Sequence, residues 1–357
     1  MPYYKTVNIL FTRFPLESLL GGAEVQTLSL MQGLSTREHT VSFLGSCPIL
    51  FAEAPKDGVA TTMLDIGPPP VSKRHALSFV WRKYSMKKCM EEALESMNDV
   101  PDILCMLSLS EKILLTPLAL QKGIKVVWIE HDSVGRWLKG NPWLSVVRKL
   151  SARVTTVCVS ELSAQMYRDL GYSNVLCIPN GVALPQYSAP SAKGTNITVG
   201  CIARLSPEKG VHVLLEAVEH MPRVHVLING RGPQKIKKSE TVELIDRVHD
   251  INDIYRKIDV LVLPSVENDP FGLVVAEAML RGIPIICTGA CGISKYLHSG
   301  EDGLVVKAGS VIALRDAIEM MQDPETRNRL SENGKNTARK HFTLERMVDQ
   351  YIDVFSM

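Results

Sequence analysis

A chain of 357 residues is too long for one compact core and fits two domains of ordinary size. Its 45% apolar and 22% charged content excludes extended disorder. A net charge of +2 is too small to argue for a nucleic-acid partner.

The N-terminal MPYYKTVNILF has no basic region followed by an apolar stretch and a small-residue cleavage site, so it does not read as a secretory leader, and a cytoplasmic location is expected. Strand-like runs then recur at VNILF (7–11), TVSFLG (40–45), DILCML (102–107), KVVWIE (125–130), TTVCVS (155–160) and VLCIPN (175–180), separated by helical patterns. Gly21-Gly22-Ala23-Glu24 follows the first of them and precedes the helical VQTLSLMQGL, where paired glycines let backbone N–H groups approach an anion. This is not GxGxxG, and no acid follows TVSFLG to hold an adenosine ribose, which disfavours a nicotinamide cofactor.

Residues 73–88 carry Lys73, Arg74, Arg82, Lys83, Lys87 and Lys88 with no acid among them, interleaved with Phe79, Val80, Trp81 and Tyr84. A solvated basic helix face is the default reading; a peripheral contact with anionic membrane at the cytoplasmic face is the functional one. His131 and Asp132 close the strand KVVWIE, and a histidine at the carboxyl end of a parallel strand is a site candidate. Among the eight cysteines, Cys105, Cys158, Cys177, Cys201 and Cys287 sit inside apolar runs, and no CxxC pair suggests a metal site.

The stretch 183–196, ALPQYSAPSAKGTN, is the best linker. It divides a first domain, 1–182, from a second, 197–340, whose strands recur near 197–203, 224–230, 241–246, 259–264 and 283–288. The alternation of strands and helices predicts an α/β class with two doubly wound, Rossmann-like domains whose strand ends face a cleft. In 341–357 the apolar positions Met347, Val348, Tyr351, Ile352 and Phe355 fall at helical spacing, so one face of this last segment needs a partner surface.

Two motifs of the second half carry candidate chemistry. In VGCIARLSPEKGVHVLLEAV a buried strand gives way to Arg204, Pro207, Lys209 and Gly210 before a helix, which suits a diphosphate, although two solvated loop cations read the same way. In ENDPFGLVVAEAM, Glu267, Asp269 and Glu277 surround a glycine turn and an apolar run. Acids gathered at a helix start are the bland alternative.

Taken together, GGAE, IPNGV (178–182), ARLSPEKG, NGRGP (229–233), IYRKIDVLVLPS (254–265) and DPFGLVVAEAMLRGIPI resemble glycosyltransferase family 4, retaining enzymes of the GT-B fold, over nearly the whole chain. The resemblance implies a hexosyltransferase that moves sugar from a UDP- or GDP-linked donor to a hydroxyl of a glycan or lipid-linked acceptor, with neither cofactor nor metal. It implies that the final helix crosses back to the first domain. It also implies roles for single residues: Arg204 and Lys209 at the diphosphate, Glu277 at the ribose, Val248 with Arg247 near the base, Asp269 with the Phe271, Gly272 and Leu273 amides at the transferred sugar, Gly22 close to the phosphates, and His131 beside the reacting carbon.

The sequence departs from the family in two places. The first acid of the usual Glu-x7-Glu pair is Asp269, with Glu267 as a substitute, and the usual GGxxE reads Cys291-Gly292-Ile293-Ser294-Lys295. Those departures motivate one alternative, a sugar-nucleotide-binding protein without turnover; a nucleotide-sugar epimerase on the same fold is another, and it needs catalytic acids in the first domain that the sequence does not identify.

Overall fold

The computed structural model describes residues 6–16, 21–97, 99–131, 139–189, 192–237, 239–246, 248 and 250–357. They form two units, Met1–Gly181 with Leu344–Met357, and Val182–Thr343.

The first unit is built on a seven-stranded sheet of β1 (Asn8–Arg13), β2 (Thr40–Gly45), β3 (Ala60–Met63), β4 (Ile103–Met106), β5 (Lys125–Glu130), β6 (Thr155–Cys158) and β7 (Val175–Cys177), in the order β3-β2-β1-β4-β5-β6-β7. Every pairing is parallel. A parallel sheet is covered on both faces, which is why its central strands are near-continuous apolar runs rather than alternating ones. Alternate residues of one strand enter opposite cores: Leu10, Val126 and Trp128 pack on one side, Ile9, Phe11, Val127 and Ile129 on the other.

Each core is closed by a helix whose apolar spacing matches it. Phe79, Met86, Met90 and Leu94 of the helix Lys73–Glu95 fill the first core. Met347, Val348, Tyr351, Ile352 and Val354 of the helix Leu344–Ser356 fill the second, beside Leu30, Met31 and Leu34 of the helix Gly22–Ser35. The contact between these two helices depends on Gly33: a Cβ added there would lie 2.4 Å from Val348 Cγ2.

The second unit holds a six-stranded sheet of β8 (Ile197–Ile202), β9 (Val224–Asn229), β10 (Val242–Ile245), β11 (Val260–Leu263), β12 (Ile285–Thr288) and β13 (Leu304–Val306), in the order β10-β9-β8-β11-β12-β13 and again all parallel. Both sheets therefore reverse direction of winding once, between β1 and β4 and between β8 and β11. At such a switch point the loops leaving the two central strands diverge and open a crevice at the carboxyl edge.

Three features differ from the sequence reading. The strands β3 and β13 lie at sheet edges with one strand neighbour each, so neither carries the doubly buried apolar run that reveals a central strand. The stretch 183–196 is tied to the second unit: Ala189 N–H donates to Arg281 O, Ala192 N–H to Asn328 Oδ1, and the buried Arg327 guanidinium to Gly194 O. The final helix begins at Leu344, while His341, Phe342 and Thr343 belong to the second unit, where Phe342 stacks edge-on against Phe271.

Candidate functional site

In the second unit, β8 delivers the loop with Arg204 and Lys209, and its neighbour β11 delivers the loop with Ser265, Glu267 and Asp269. Lys209 sits in a short 3-10 turn, Pro207–Lys209, that ends on Gly210. Gly210 has φ +69°, and a Cβ there would lie 2.0 Å from the Pro264 carbonyl oxygen, so the close approach of the two loops requires glycine. That approach brings Lys209 Nζ to 2.6 Å from Asp269 Oδ2, a carboxylate that also accepts from Ser265 Oγ at 3.3 Å.

Arg204 is paired as well. Its Nη2 lies 2.8 Å from Glu208 Oε1, and Ser206 Oγ donates to the same oxygen at 2.6 Å. Burial pushes the Glu208 carboxyl up, yet the hydrogen bonds from Ser206, its own N–H and Arg204 outweigh it and leave the pKa lowered. The Arg204 side chain is 60% exposed and that of Lys209 22% exposed, so the first is a loosely held cation and the second a fixed one.

Asp269 is itself built into the sheet edge. Its N–H donates to Ala290 O, and its carbonyl accepts from Gly292 N–H. The departing loop Cys291-Gly292-Ile293-Ser294-Lys295 thus braces Asp269 through its backbone, with Cys291 buried and Lys295 exposed. Glu267 is exposed. Phe271 is buried against Phe342, so only its backbone faces the turn, and Gly272 then caps the helix Leu273–Leu280, whose first N–H groups have no partner within the helix.

One helical turn on, Glu277 accepts a hydrogen bond from the Tyr255 hydroxyl at 2.5 Å. Burial raises the Glu277 pKa, held back by the Tyr255 hydrogen bond and the Arg281 charge. Arg281 completes a rigid set: its guanidinium lies 4.4 Å from the Tyr255 ring centroid and donates to Asn252 Oδ1 and Glu277 O. Tyr255, Asn252, Arg281 and Glu208 were not singled out from the sequence. Tyr255 was visible only as an aromatic before the strand DVLVLP, which reads as core. Val248 is half-buried, and Arg247 lies outside the described residues.

In the first unit the carboxyl edge gathers charge that the sequence did not announce. Arg13 at the end of β1 pairs with Glu24 at 2.6 Å, both buried. Lys112 pairs with Glu130 at 2.8 Å, and Glu130 also accepts from Tyr167 Oη at 2.7 Å. His131 follows Glu130, and its pKa is lowered to about 3 by burial and by the charges of Arg13 and Lys112, which keeps the ring neutral. Both its ring nitrogens, Thr12 Oγ1, Ser110 Oγ and Glu111 Oε2 are buried with no hydrogen-bond partner among the described residues. The other Glu111 oxygen accepts from Ser108 N–H in a capping box, and burial lifts the Glu111 pKa to about 7. Gly22 opens the helix Gly22–Ser35, and a Cβ added there would meet nothing within 4 Å. Asp132 lies outside the described residues.

No group of three or more His, Cys, Asp and Glu side chains that could hold a metal ion occurs among the described residues. None of the cysteines is joined in a disulfide among the described residues, and no helix of those residues is long and apolar enough to cross a membrane.

Residues 20–185 match the model of Glycosyltransferase Family 4, and residues 186–337 that of Glycosyl transferases group 1. The chain is 28% identical over 230 residues to a phosphatidyl-myo-inositol mannosyltransferase of Mycobacterium leprae, covering 59% of this chain and 62% of that protein. It is 28% identical over 165 residues to the lipopolysaccharide core biosynthesis glycosyltransferase LpsE of Rhizobium meliloti, covering 43% and 48%. The chain thus spans about half to three-fifths of the length of these curated relatives. Among solved structures, Anabaena Alr3699/HepE in complex with UDP and glucose superposes with a TM-score of 0.78 at 18% identity, over 98% of this chain and 99% of that one. Sucrose-phosphate synthase from Thermosynechococcus elongatus gives 0.77 at 17% identity, over 98% of each chain. The likeness assigns this chain the GT-B fold of two Rossmann-like units.

Proposed function

The chain belongs to glycosyltransferase family 4, and on that premise we propose that it is a retaining hexosyltransferase that moves a sugar from a UDP- or GDP-linked donor to an acceptor hydroxyl on a glycan or lipid-linked sugar. The observation that carries this reading is the Lys209–Asp269 pair at the switch point of the second sheet, with Glu277 held one turn into the helix Leu273–Leu280 that follows Asp269. A diphosphate takes its countercharge from Lys209 and from Arg204, which leaves Glu208 to reach it. Glu277 offers Oε1 to a ribose, because Oε2 is occupied by Tyr255. Asp269 and the amides of Gly272 and Leu273 take sugar hydroxyls.

The reaction needs no covalent nucleophile from the protein. The bond between the anomeric carbon and the diphosphate oxygen breaks, with its electron pair leaving on the diphosphate against the two cations. The acceptor oxygen bonds to the same face of the anomeric carbon, and its proton passes to an oxygen of the departing diphosphate. Fixed charge and positioning supply the barrier reduction. The unsatisfied polar atoms of Thr12, Ser110, Glu111 and His131 at the edge of the first sheet support an acceptor-binding role for the first unit.

The test is release of nucleoside diphosphate from a panel of sugar nucleotides, with and without glycan and lipid-linked acceptors, in EDTA. Acceptor-dependent release that survives EDTA is expected. Donor binding with no release under any acceptor points instead to a protein that binds without turnover, and interconversion of free sugar nucleotides to an epimerase. Release restored only by manganese or magnesium rules out the metal-independent scheme.

A further inference from the structure

The helix Lys73–Glu95 turns an apolar stripe to solvent. Leu77, Val80, Trp81 and Tyr84 are 63%, 45%, 78% and 73% exposed, and their spacing of three, four and seven residues puts them on one helical face. The opposite face is fixed: Phe79, Met86, Met90 and Leu94 lie in the core, Phe79 meets Trp143 edge-on at 5.0 Å, and Trp143 Nε1 donates to Ala76 O. The stripe is therefore held outward by a rigid helix, and its exposure is not the fraying of a loose segment.

Charge around the stripe is one-sided. Lys73 and Arg74 stand in the first turn, Lys83, Lys87 and Lys88 follow, and no acid occurs before Glu91. Arg82 and Lys83 are withdrawn from this set, since Arg82 bonds Pro68 O and the Met86 sulfur and the Lys83 ammonium lies over the Trp143 ring, 5.5 Å from its centroid. Lys87 and Lys88 are answered by Glu91 and Glu92 at 3.2 and 3.7 Å, so the uncompensated positive charge lies at the N-terminal end, beside Leu77 and Trp81. The first turn has no acid and the last no base, the reverse of what the helix dipole favours. Helix stability does not explain this arrangement of charge.

We propose that this face docks on the interface of an anionic bilayer, Trp81 and Tyr84 seated at headgroup depth, Leu77 and Val80 reaching below them, and Lys73 and Arg74 against lipid phosphates. Tryptophan and tyrosine are the side chains that settle at a membrane interface, because each presents an apolar ring and a polar tip. Cations around them match the surface charge of anionic lipid. The inference stands apart from the reading of the second unit, since it uses no residue of the donor site.

The full chain is sedimented with vesicles of phosphatidylcholine alone and of phosphatidylcholine mixed with phosphatidylglycerol. Binding to the anionic vesicles at low salt should exceed binding to the neutral ones by roughly tenfold or more, and about 0.5 M salt should release it. The double variants Trp81→Ala with Tyr84→Ala, and Lys73→Ala with Arg74→Ala, should each lower binding by roughly tenfold with unchanged circular dichroism, because these side chains face solvent. Failure of the wild type to bind anionic vesicles overturns the proposal, as does equal binding by the variants. Sedimentation velocity without vesicles should find a monomer; a dimer dispersed by the Trp81 and Tyr84 substitutions would make the stripe a contact between copies of this chain and sink the bilayer assignment.

Discussion

Lys209 and Asp269, sixty residues apart in the chain, meet at 2.6 Å because β8 and β11 are neighbours at the point where the second sheet reverses. The cation of the proposed diphosphate site is thus already neutralised, and its two partners have different obligations. Removing Lys209 leaves a largely buried carboxylate uncompensated, whereas removing the Asp269 charge leaves a cation that still has a phosphate to meet.

Lys209→Ala should lower turnover by about a hundredfold or more and cost about 1–3 kcal/mol of stability. Asp269→Asn should keep the fold, bind free nucleoside diphosphate at least as tightly as the wild type, and lose affinity for the intact sugar nucleotide. Glu267→Gln, at an exposed position, should change little. Calorimetry with the diphosphate and the donor separates these outcomes; if Asp269→Asn weakens both ligands equally, the carboxylate does not serve the sugar.

What the sequence disclosed follows from burial. Strands covered on both faces, such as β5 and β11, appear as apolar runs that nothing else explains, and the two-sheet architecture follows from their spacing. The edge strands β3 and β13 lack that signature. In the site, residue types were visible but pairing was not: no local pattern says that Lys209 faces Asp269, that Glu208 holds Arg204, or that Arg13 reaches Glu24. Those contacts are set by sheet order. Tyr255 was hidden for a different reason, since a tyrosine whose ring is buried and whose hydroxyl serves one carboxylate looks like any core aromatic.

Tyr255 and Glu277 make a second prediction. The Tyr255 hydroxyl fixes one carboxylate oxygen and leaves the other for ligand, so Tyr255→Phe should raise the dissociation constant for nucleoside diphosphate several-fold while sparing kcat at saturating donor. Burial raises the Glu277 pKa, which means that holding it ionised costs the fold stability once the pH has passed the unfolded value. Glu277→Gln should therefore leave Tm at neutral pH no lower than in the wild type and still weaken the nucleotide by about tenfold or more. A fall in both would make Glu277 a structural residue.

The first unit carries opposing pH dependences. His131 is lowered from 6.5 to about 3, so below pH 6.5 the unfolded chain takes up a proton that the folded chain refuses, and stability falls as pH drops from about 6.5 towards 3. Glu111 is raised from 4.5 to about 7, so its contribution is complete below pH 4.5 and lost as pH rises to about 7. His131→Gln should flatten the acid limb and Glu111→Gln the limb between about 4.5 and 7, each on the order of 1–3 kcal/mol. Thermal melts across pH 4 to 8 read both slopes; an unchanged acid limb in His131→Gln would mean that the ring is solvated.

The last prediction concerns the two helices that close one face of the first sheet. Alanine normally improves on glycine inside a helix by about 1 kcal/mol, yet at Gly33 its Cβ would lie 2.4 Å from Val348 Cγ2, and a β-branched side chain has few rotamers with which to yield. Overpacking of this kind costs about 1–3 kcal/mol. Gly33→Ala should therefore destabilise, and Val348→Ala alone should destabilise through the cavity it leaves beside Met347 and Ile352. Combined, the two changes relieve each other: the new methyl group occupies part of the space that Val348 vacates, and the helix regains the propensity of alanine. The double variant should be more stable than the sum of the single effects by about 1–2 kcal/mol, measured as a coupling free energy in urea. Strict additivity would show that the helix Leu344–Ser356 shifts to accept the methyl group, and that Gly33 does not set the distance between the two helices.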